Sequence, residues 1–257
     1  MCVATIKILV IIPAHNEAEN IRQVLVEIRD TGLNLDVLVV DDYSTDETAL
    51  AAVRQGARVL RLPCNLGYGG AVQSGFRYAM QYGYDYGVLM DADGQHDASC
   101  ISDLLRVVQD GEADVVIGSR FLGRMEYRTS FVKRAGMATF SQIVSRITGQ
   151  HMTDATSGFQ VFNRDVMRFF ATDNYPVDFP DADTILVLHF AGFRLAEVPV
   201  TMRERLSGES MHSSWKPVYY VFKMFLSILV VLLRQRTHAN AVRPGVGPLQ
   251  EETSSGA

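Results

Sequence analysis

The sequence has little sulfur chemistry. Its three cysteines, Cys2, Cys64 and Cys100, stand far apart without metal-ligand spacing. That excludes a small zinc module and a disulfide-stapled scaffold, and it suits a reduced, cytosolic chain. An excess of basic charge is missing too. The formal net charge is -5 over 257 residues, so wholesale binding to nucleic acid is not expected. No internal repeat is visible. No secretory leader stands out, because the apolar stretch over residues 6–12 is short and carries Lys7. A membrane span is lacking as well. The longest apolar run follows Lys223 and lasts about ten residues, where a bilayer needs ~20.

What is present is organised around residues 86–96. The apolar run Val88-Leu89-Met90 reads as a buried strand that ends in two carboxylates one residue apart, Asp91 and Asp93. In an extended backbone, side chains at i and i+2 point the same way, so the pair meets at the strand's carboxyl end. Two such oxygens suit a hard divalent cation that also binds phosphate. Ligand sites in open α/β sheets lie at that end of the strands. Alone, the pattern equally describes a solvated loop.

The surrounding chain alternates strand and helix. Residues 7–12, 37–40, 57–62, 86–90 and 113–118 read as strands, with Pro13 stopping the first. Residues 17–29, a short segment from Thr45, residues 68–82 and residues 97–109 read as helices. This is the pattern of an α/β fold with a mostly parallel sheet and helices on both faces. Further on, residues 159–163 and 194–202 read as strands, with a helix over 183–191 between them. The ends of the first five strands carry Asn16-Glu17, Asp41-Asp42, Asn65, Asp91 with Asp93, and Ser119-Arg120. Each alone is a cap or turn former, but five ends converging on one edge favour a site.

Three later stretches stand out. Arg120, Arg124, Arg128, Lys133, Arg134 and Arg146 face a single acid, Glu126. They read either as a solvated face or as arginines placed for phosphate. Asp178, Asp181 and Asp183 read either as sugar contacts or as an acidic helix start. Residues 216–236 are apolar and aromatic, with Lys216, Lys223, Arg234 and Arg236 and no acid. A helix in the membrane interface fits best, and a core helix or a docking helix for a small membrane-protein subunit are the alternatives. Residues 237–257 hold little apolar content and read as a disordered tail.

The motifs Pro13-Ala14-His15-Asn16-Glu17, the Asp41-Asp42 segment, Asn65-Leu66-Gly67 and Asp91-Ala92-Asp93-Gly94-Gln95-His96 resemble, in order and spacing, the signature of family-2 glycosyltransferases. Gly118-Ser119-Arg120 and residues 154–159 resemble the dolichol- and polyprenyl-phosphate sugar synthases within that family. The resemblance covers residues 6–210. It implies a GT-A fold and inverting transfer from a nucleotide sugar, UDP- or GDP-linked, to a polyprenyl (dolichyl or undecaprenyl) phosphate. Carried over, Pro13, Asn16 and Glu17 lie near the nucleoside and ribose, and Asp42 faces the base. Asp91 and Asp93 hold Mg²⁺ or Mn²⁺ and the diphosphate, with Gln95 completing the metal shell. Arg120 and Arg134 grip the acceptor phosphate, and Asp154 orients them, contacts sugar hydroxyls or merely forms a turn. Arg205, Gly208 and Ser210 match a loop that closes over the diphosphate, while Met211 departs from the usual Lys. His15 stands where an aromatic Tyr is common. The expected layout is a catalytic domain over 1–214, an interface or docking helix over 215–236 and a tail over 237–257. The enzyme would sit at the cytoplasmic membrane surface. The alternatives are transfer to a sugar hydroxyl, with Asp181 or Asp183 as base, and a non-catalytic nucleotide-sugar-binding subunit.

Overall fold

The computed structural model describes residues 6–125, 131–172, 174–176, 182–204 and 225–233. The sequence of β1 (Ile8–Ala14) explains much of the architecture. Six of its seven residues are fully buried, as in a central strand covered on both faces. It lies between β2 (Asp36–Asp41) and β4 (Tyr86–Leu89), with β3 (Arg58–Arg61) beyond β2. The seven-stranded sheet runs β3-β2-β1-β4-β6-β5-β7, where β5 is Val115–Met125, β6 Gln160–Asn163 and β7 Leu195–Met202.

Side chains alternate across this sheet. Leu9 and Ile11 join one core with α3 (Gly67–Gln81), α5 (Phe131–Thr148), α6 (Arg164–Phe170) and α7 (Ala182–Phe190). Val10 and Ile12 join the other with α1 (Ile21–Asp30), α2 (Thr48–Arg54) and α4 (Ile101–Gln109). The two-residue period of a strand thus divides one run of Ile, Leu and Val between two layers. On the first face α3 lies close, since a Cβ on Gly75 would stand 2.4 Å from Ile11 Cγ2.

Three features depart from the sequence expectation. β1 passes through Pro13 instead of stopping there. The Ile11 carbonyl accepts from Met90 N–H, so residue 13, two further on, also faces β4, whose ladder ends at Leu89. The proline therefore removes no ladder bond. β6, whose direction the sequence left open, runs antiparallel to both β4 and β5, so the expected mostly parallel sheet carries one antiparallel strand. Helices α5 and α6 had no counterpart among the expected elements. Residues 225–233 form α8. Its Ile228 is buried in the first core, and Phe225 packs on Phe140 of α5 with ring centroids 5.3 Å apart. The remaining parts of the 215–236 segment, and the 237–257 tail, lie outside the described residues.

Candidate active site

The parallel strands β1 to β4 deliver their carboxyl ends to one edge. There the loops after β1 and β2 are stitched together. Asn16 N–H donates to Ser44 Oγ at 3.0 Å, and Asn16 Oδ1 accepts from Thr45 N–H at 2.9 Å. Glu17 N–H donates to Thr48 Oγ1 at 2.8 Å. Asn16 and Tyr43 both hold φ near +60°, a region that costs energy outside glycine and persists only where neighbours enforce it. Asp42 is buried, and its Oδ1 accepts from Leu66 N–H at 2.7 Å, tying β2 to the entry of α3. His15 Nδ1 lies 2.7 Å from the Asp42 carbonyl, which makes it the protonated ring nitrogen, and Asn16 Nδ2 lies 3.2 Å from Nε2. Pro13, Asn16, Glu17 and Asp42 are thus gathered, with His15 fixed among them.

The carboxylate pair does not sit on an extended strand, because β4 ends at Leu89 and residues 92–94 turn, with Gly94 at φ +77°. The alternation survives the turn. Asp91, Asp93 and Gln95 are half-buried, whereas Ala92, Gly94 and His96 are buried. Gln95 N–H donates to Asp93 Oδ1 at 3.0 Å, the local bond that shapes such a turn. The Gln95 side-chain amide donates to the Arg203 carbonyl at 3.3 Å, which leaves its oxygen as the group turned elsewhere. Arg203 returns a backbone bond to Gln95 and reaches Asp97 Oδ2 at 2.8 Å and Glu27 Oε2 at 3.1 Å. Burial works to raise the Asp97 carboxyl, but Ser99 and Arg203 outweigh it and hold it below its ordinary value.

Asp91 meets groups from two other parts of the chain and from its own turn. The Tyr68 hydroxyl donates to its Oδ1 at 2.9 Å. A Cβ on Gly158 would stand 3.1 Å from its Oδ2, so the 156–158 loop needs glycine to pass this close. His96 Nδ1 accepts from Asp91 N–H at 3.3 Å, and His96 Nε2 lies 3.6 Å from Asp91 Oδ2 without a hydrogen-bond partner among the described residues. Burial pushes the His96 pKa down to about 4, against the pull of Asp93 and Asp154 and with the help of Arg120. Its ring is therefore neutral at ordinary pH and stacks on Phe159 at 5.0 Å. Thr156, two residues before Gly158, is in turn bonded to Arg120, which links the acids to that arginine.

Arg120 is held firmly. Its Nε and one Nη donate to the two oxygens of Asp154, each at 2.6 Å, and the same Nη reaches Thr156 Oγ1 at 2.7 Å. Its backbone N–H also donates to Asp154, at 3.0 Å. Asp154 is fully buried and Arg120 only 11% exposed. Asp154 thus orients an arginine, and its Oδ1 also accepts from Thr156 N–H at 3.4 Å, the bond of a turn former. Arg134 is exposed on the first turns of α5 and makes no hydrogen bond or ion pair among the described residues. Asp183 is buried at the start of α7, bonded to Thr184 N–H and the Ser227 hydroxyl of α8. It acts there as a helix-start acid and a latch, which removes it as a base in the cleft. Asp178, Asp181, Arg205 and Met211 lie outside the described residues, as does the side chain of Arg124.

The donor set of Asp91, Asp93 and the Gln95 amide oxygen is all oxygen and half open, which fits Mg²⁺ or Mn²⁺ shared with a diphosphate. Among the described residues no group of three His, Cys, Asp or Glu gathers, so other ligands would have to come from substrate or water.

A mixed seven-stranded sheet with helices on both faces and acids at one edge defines a GT-A protein. The chain belongs to glycosyl transferase family 2, whose model matches residues 9–170. It is 36% identical over 223 residues to an undecaprenyl-phosphate mannosyltransferase of Micrococcus luteus, covering 80% of this chain and 88% of that protein. It is 33% identical over 219 residues to a polyprenol monophosphomannose synthase of Mycolicibacterium smegmatis, covering 81% and 82%. Among solved structures, glucosyl-3-phosphoglycerate synthase from Mycobacterium tuberculosis, in complex with Mn²⁺, UDP and glucosyl-3-phosphoglycerate, superposes with a TM-score of 0.64. It shares 18% identity, over 90% of this chain and 80% of that one. A mannosyltransferase from Pyrobaculum calidifontis with GDP-Man and Mn²⁺ gives 0.59 at 20% identity, over 94% and 66%.

Proposed function

We propose that the chain transfers a sugar, with inversion, from a GDP- or UDP-linked donor to a polyprenyl phosphate at the cytoplasmic membrane surface. The observation that carries this reading is the cation built beside the acids: Arg120, clamped by buried Asp154, reaches Thr156, two residues before the Gly158 that passes against Asp91. An arginine so fixed suits a phosphate acceptor. The relatives named for undecaprenyl and polyprenol phosphates support the same substrate class.

In this reading Pro13, Asn16 and Glu17 line the nucleoside side and Asp42 meets the base. Asp91, Asp93 and Gln95 would hold Mg²⁺ or Mn²⁺, which when bound neutralises the charge that grows on the departing diphosphate. Arg120 and Arg134 hold the acceptor phosphate in line with the anomeric carbon. A phosphate oxygen forms the new bond to that carbon as the bond to the diphosphate breaks. The attacking oxygen is already ionised at neutral pH, so the step needs positioning and no proton transfer. Arg205, beyond the described residues, would close on the diphosphate.

The catalytic domain spans 1–214 in this scheme, and the 215–236 helix holds it against the bilayer. α8 shows a suitable face. Leu226, Leu229, Val230 and Leu233 are each 47–55% exposed, turned away from buried Ile228. No helix among the described residues is long and apolar enough to cross a membrane. The test is a panel of nucleotide sugars incubated with polyprenyl phosphate, liposomes and Mn²⁺. One donor should give a lipid-linked sugar phosphate, released by phosphodiester cleavage. Transfer only to sugar hydroxyls would reject the acceptor class. Sedimentation that requires a membrane extract, and not lipid alone, would identify a small membrane-protein subunit as the anchor.

A further inference from the structure

Glu197 lies on the edge strand β7, in register with Ile117 of β5 and three residues short of Arg120 on that strand. Its carboxylate receives three donors from one turn. Oε2 accepts from Thr153 N–H at 2.7 Å and from Thr153 Oγ1–H at 2.9 Å, and Oε1 accepts from Asp154 N–H at 2.7 Å. Two other elements hold the same turn. Ser141 of α5 accepts from Ala155 N–H at 3.1 Å and donates to the Thr153 carbonyl at 3.0 Å. Ser119 of β5 lies 2.6 Å from Thr153 Oγ1, and its oxygen accepts from Phe121 N–H and Leu122 N–H. Because the Thr153 hydroxyl proton goes to Glu197, Ser119 is the donor to Thr153. The bonds therefore run in one direction, Ser119 to Thr153 to Glu197, and the turn has a single satisfied arrangement.

We propose that Glu197 is a positioning residue for the acceptor phosphate. It fixes the 153–154 turn, the turn fixes Asp154, and Asp154 fixes the guanidinium of Arg120. The proposal rests on the reading of Arg120 as an acceptor residue. The chemistry requires a carboxylate at 197, since all three of its partners are donors. An amide of the same shape would turn its NH₂ against one of them and lose a charge-assisted bond. With the turn loosened, a buried carboxylate no longer meets the Nε–H and Nη–H of Arg120 together, and the cation loses its aim before it loses its charge.

Glu197→Gln in the full chain, labelled with ¹⁵N, tests this. Arg120→Lys identifies the Arg120 Nε–H resonance, which in the wild type should be downfield and slow to exchange. In Glu197→Gln that resonance should shift or broaden. KM for polyprenyl phosphate should rise about tenfold or more, and KM for the nucleotide sugar should change by less than about twofold, as loss of one charge-assisted contact predicts. In the Arg120→Lys background, Glu197→Gln should add nothing to the acceptor KM, the sign of two residues acting as one unit. An Arg120 Nε–H signal left unchanged by Glu197→Gln, or fully additive acceptor effects, overturns the proposal. A moved resonance with an unmoved acceptor KM shows that Arg120 is positioned by Glu197 but rejects its part in acceptor binding, and with it that element of the proposed function.

Discussion

Asp91 takes its neighbours from α3 through Tyr68, from the 156–158 loop through Gly158, and from its own turn through His96. A side chain so surrounded is placed before any ligand arrives, as differential stabilisation of a charged transition state requires. Asp91→Asn and Asp93→Asn each keep the shape and remove a charge. Each should lower turnover by roughly two orders of magnitude or more, with the melting temperature near that of the wild type. Full activity of the double variant, or in excess chelator, would dismiss the metal role. Arg134→Ala separates the substrates. It should cost about 1.5–3 kcal/mol in acceptor binding and leave the donor KM alone. Equal effects on both KM values would move Arg134 to the donor side. The sequence put Asp91 and Asp93 on one side of an extended strand; the chain turns there instead, and what persists is the alternation of burial over residues 91–96. The sequence assigned no role to Tyr68, to His96, named only as the end of a motif, or to Glu197. Their partners lie 23, 5 and 44 residues away in sequence. Only Gln95-His96, already inside a recognised motif, carried a local signal.

α8 shows why one segment supports two readings. Its inner side supplies Ile228 to the core, Ser227 to Asp183 and the ring of Phe225 to Phe140, while its outer side exposes Leu226, Leu229, Val230 and Leu233. Ile228→Asp buries an unpaired charge and should destabilise the fold by several kcal/mol. Leu229→Asp, one residue on, should leave the urea midpoint almost unmoved and abolish co-sedimentation with liposomes. If both variants unfold the protein, the outer face is covered. If neither changes sedimentation, the helix is not the anchor. A run that is apolar all round is read correctly as a helix, but its composition cannot say which side has a partner. The same limit hid α5, whose basic residues drew attention away from its helical spacing, and α6, which is only seven residues long. The antiparallel entry of β6 escaped because a short buried strand reads alike in both directions.

The molecule has a polar clamp at the end of the sheet away from the acids. Asp114, just before β5, accepts from Arg194 Nε at 3.1 Å and Nη at 2.9 Å and from Asn163 Nδ2 at 2.9 Å, joining the ends of β5, β6 and β7. The Arg194 guanidinium holds the Asp114 carboxyl below its ordinary value of 3.8. Native Asp114 thus binds a proton less readily than the unfolded chain does. Its contribution to stability is complete above 3.8 and is lost as the pH falls through the lower native value. Arg194→Ala should therefore be less stable than the wild type at neutral pH, and the gap in urea midpoint should close in acid. A gap that persists there would assign the loss to packing. Away from this clamp, the order of the strands has a consequence for synthesis. β1 to β4 form contiguous pairs within residues 8–89, whereas the described part of α8 covers residues 225–233. At ~5–20 residues per second the ribosome delivers those four strands roughly ten seconds before the outward apolar stripe emerges. The helices α5 and α7, which α8 touches through Phe140 and Asp183, are thus also synthesised before Ile228 and the outward apolar stripe emerge.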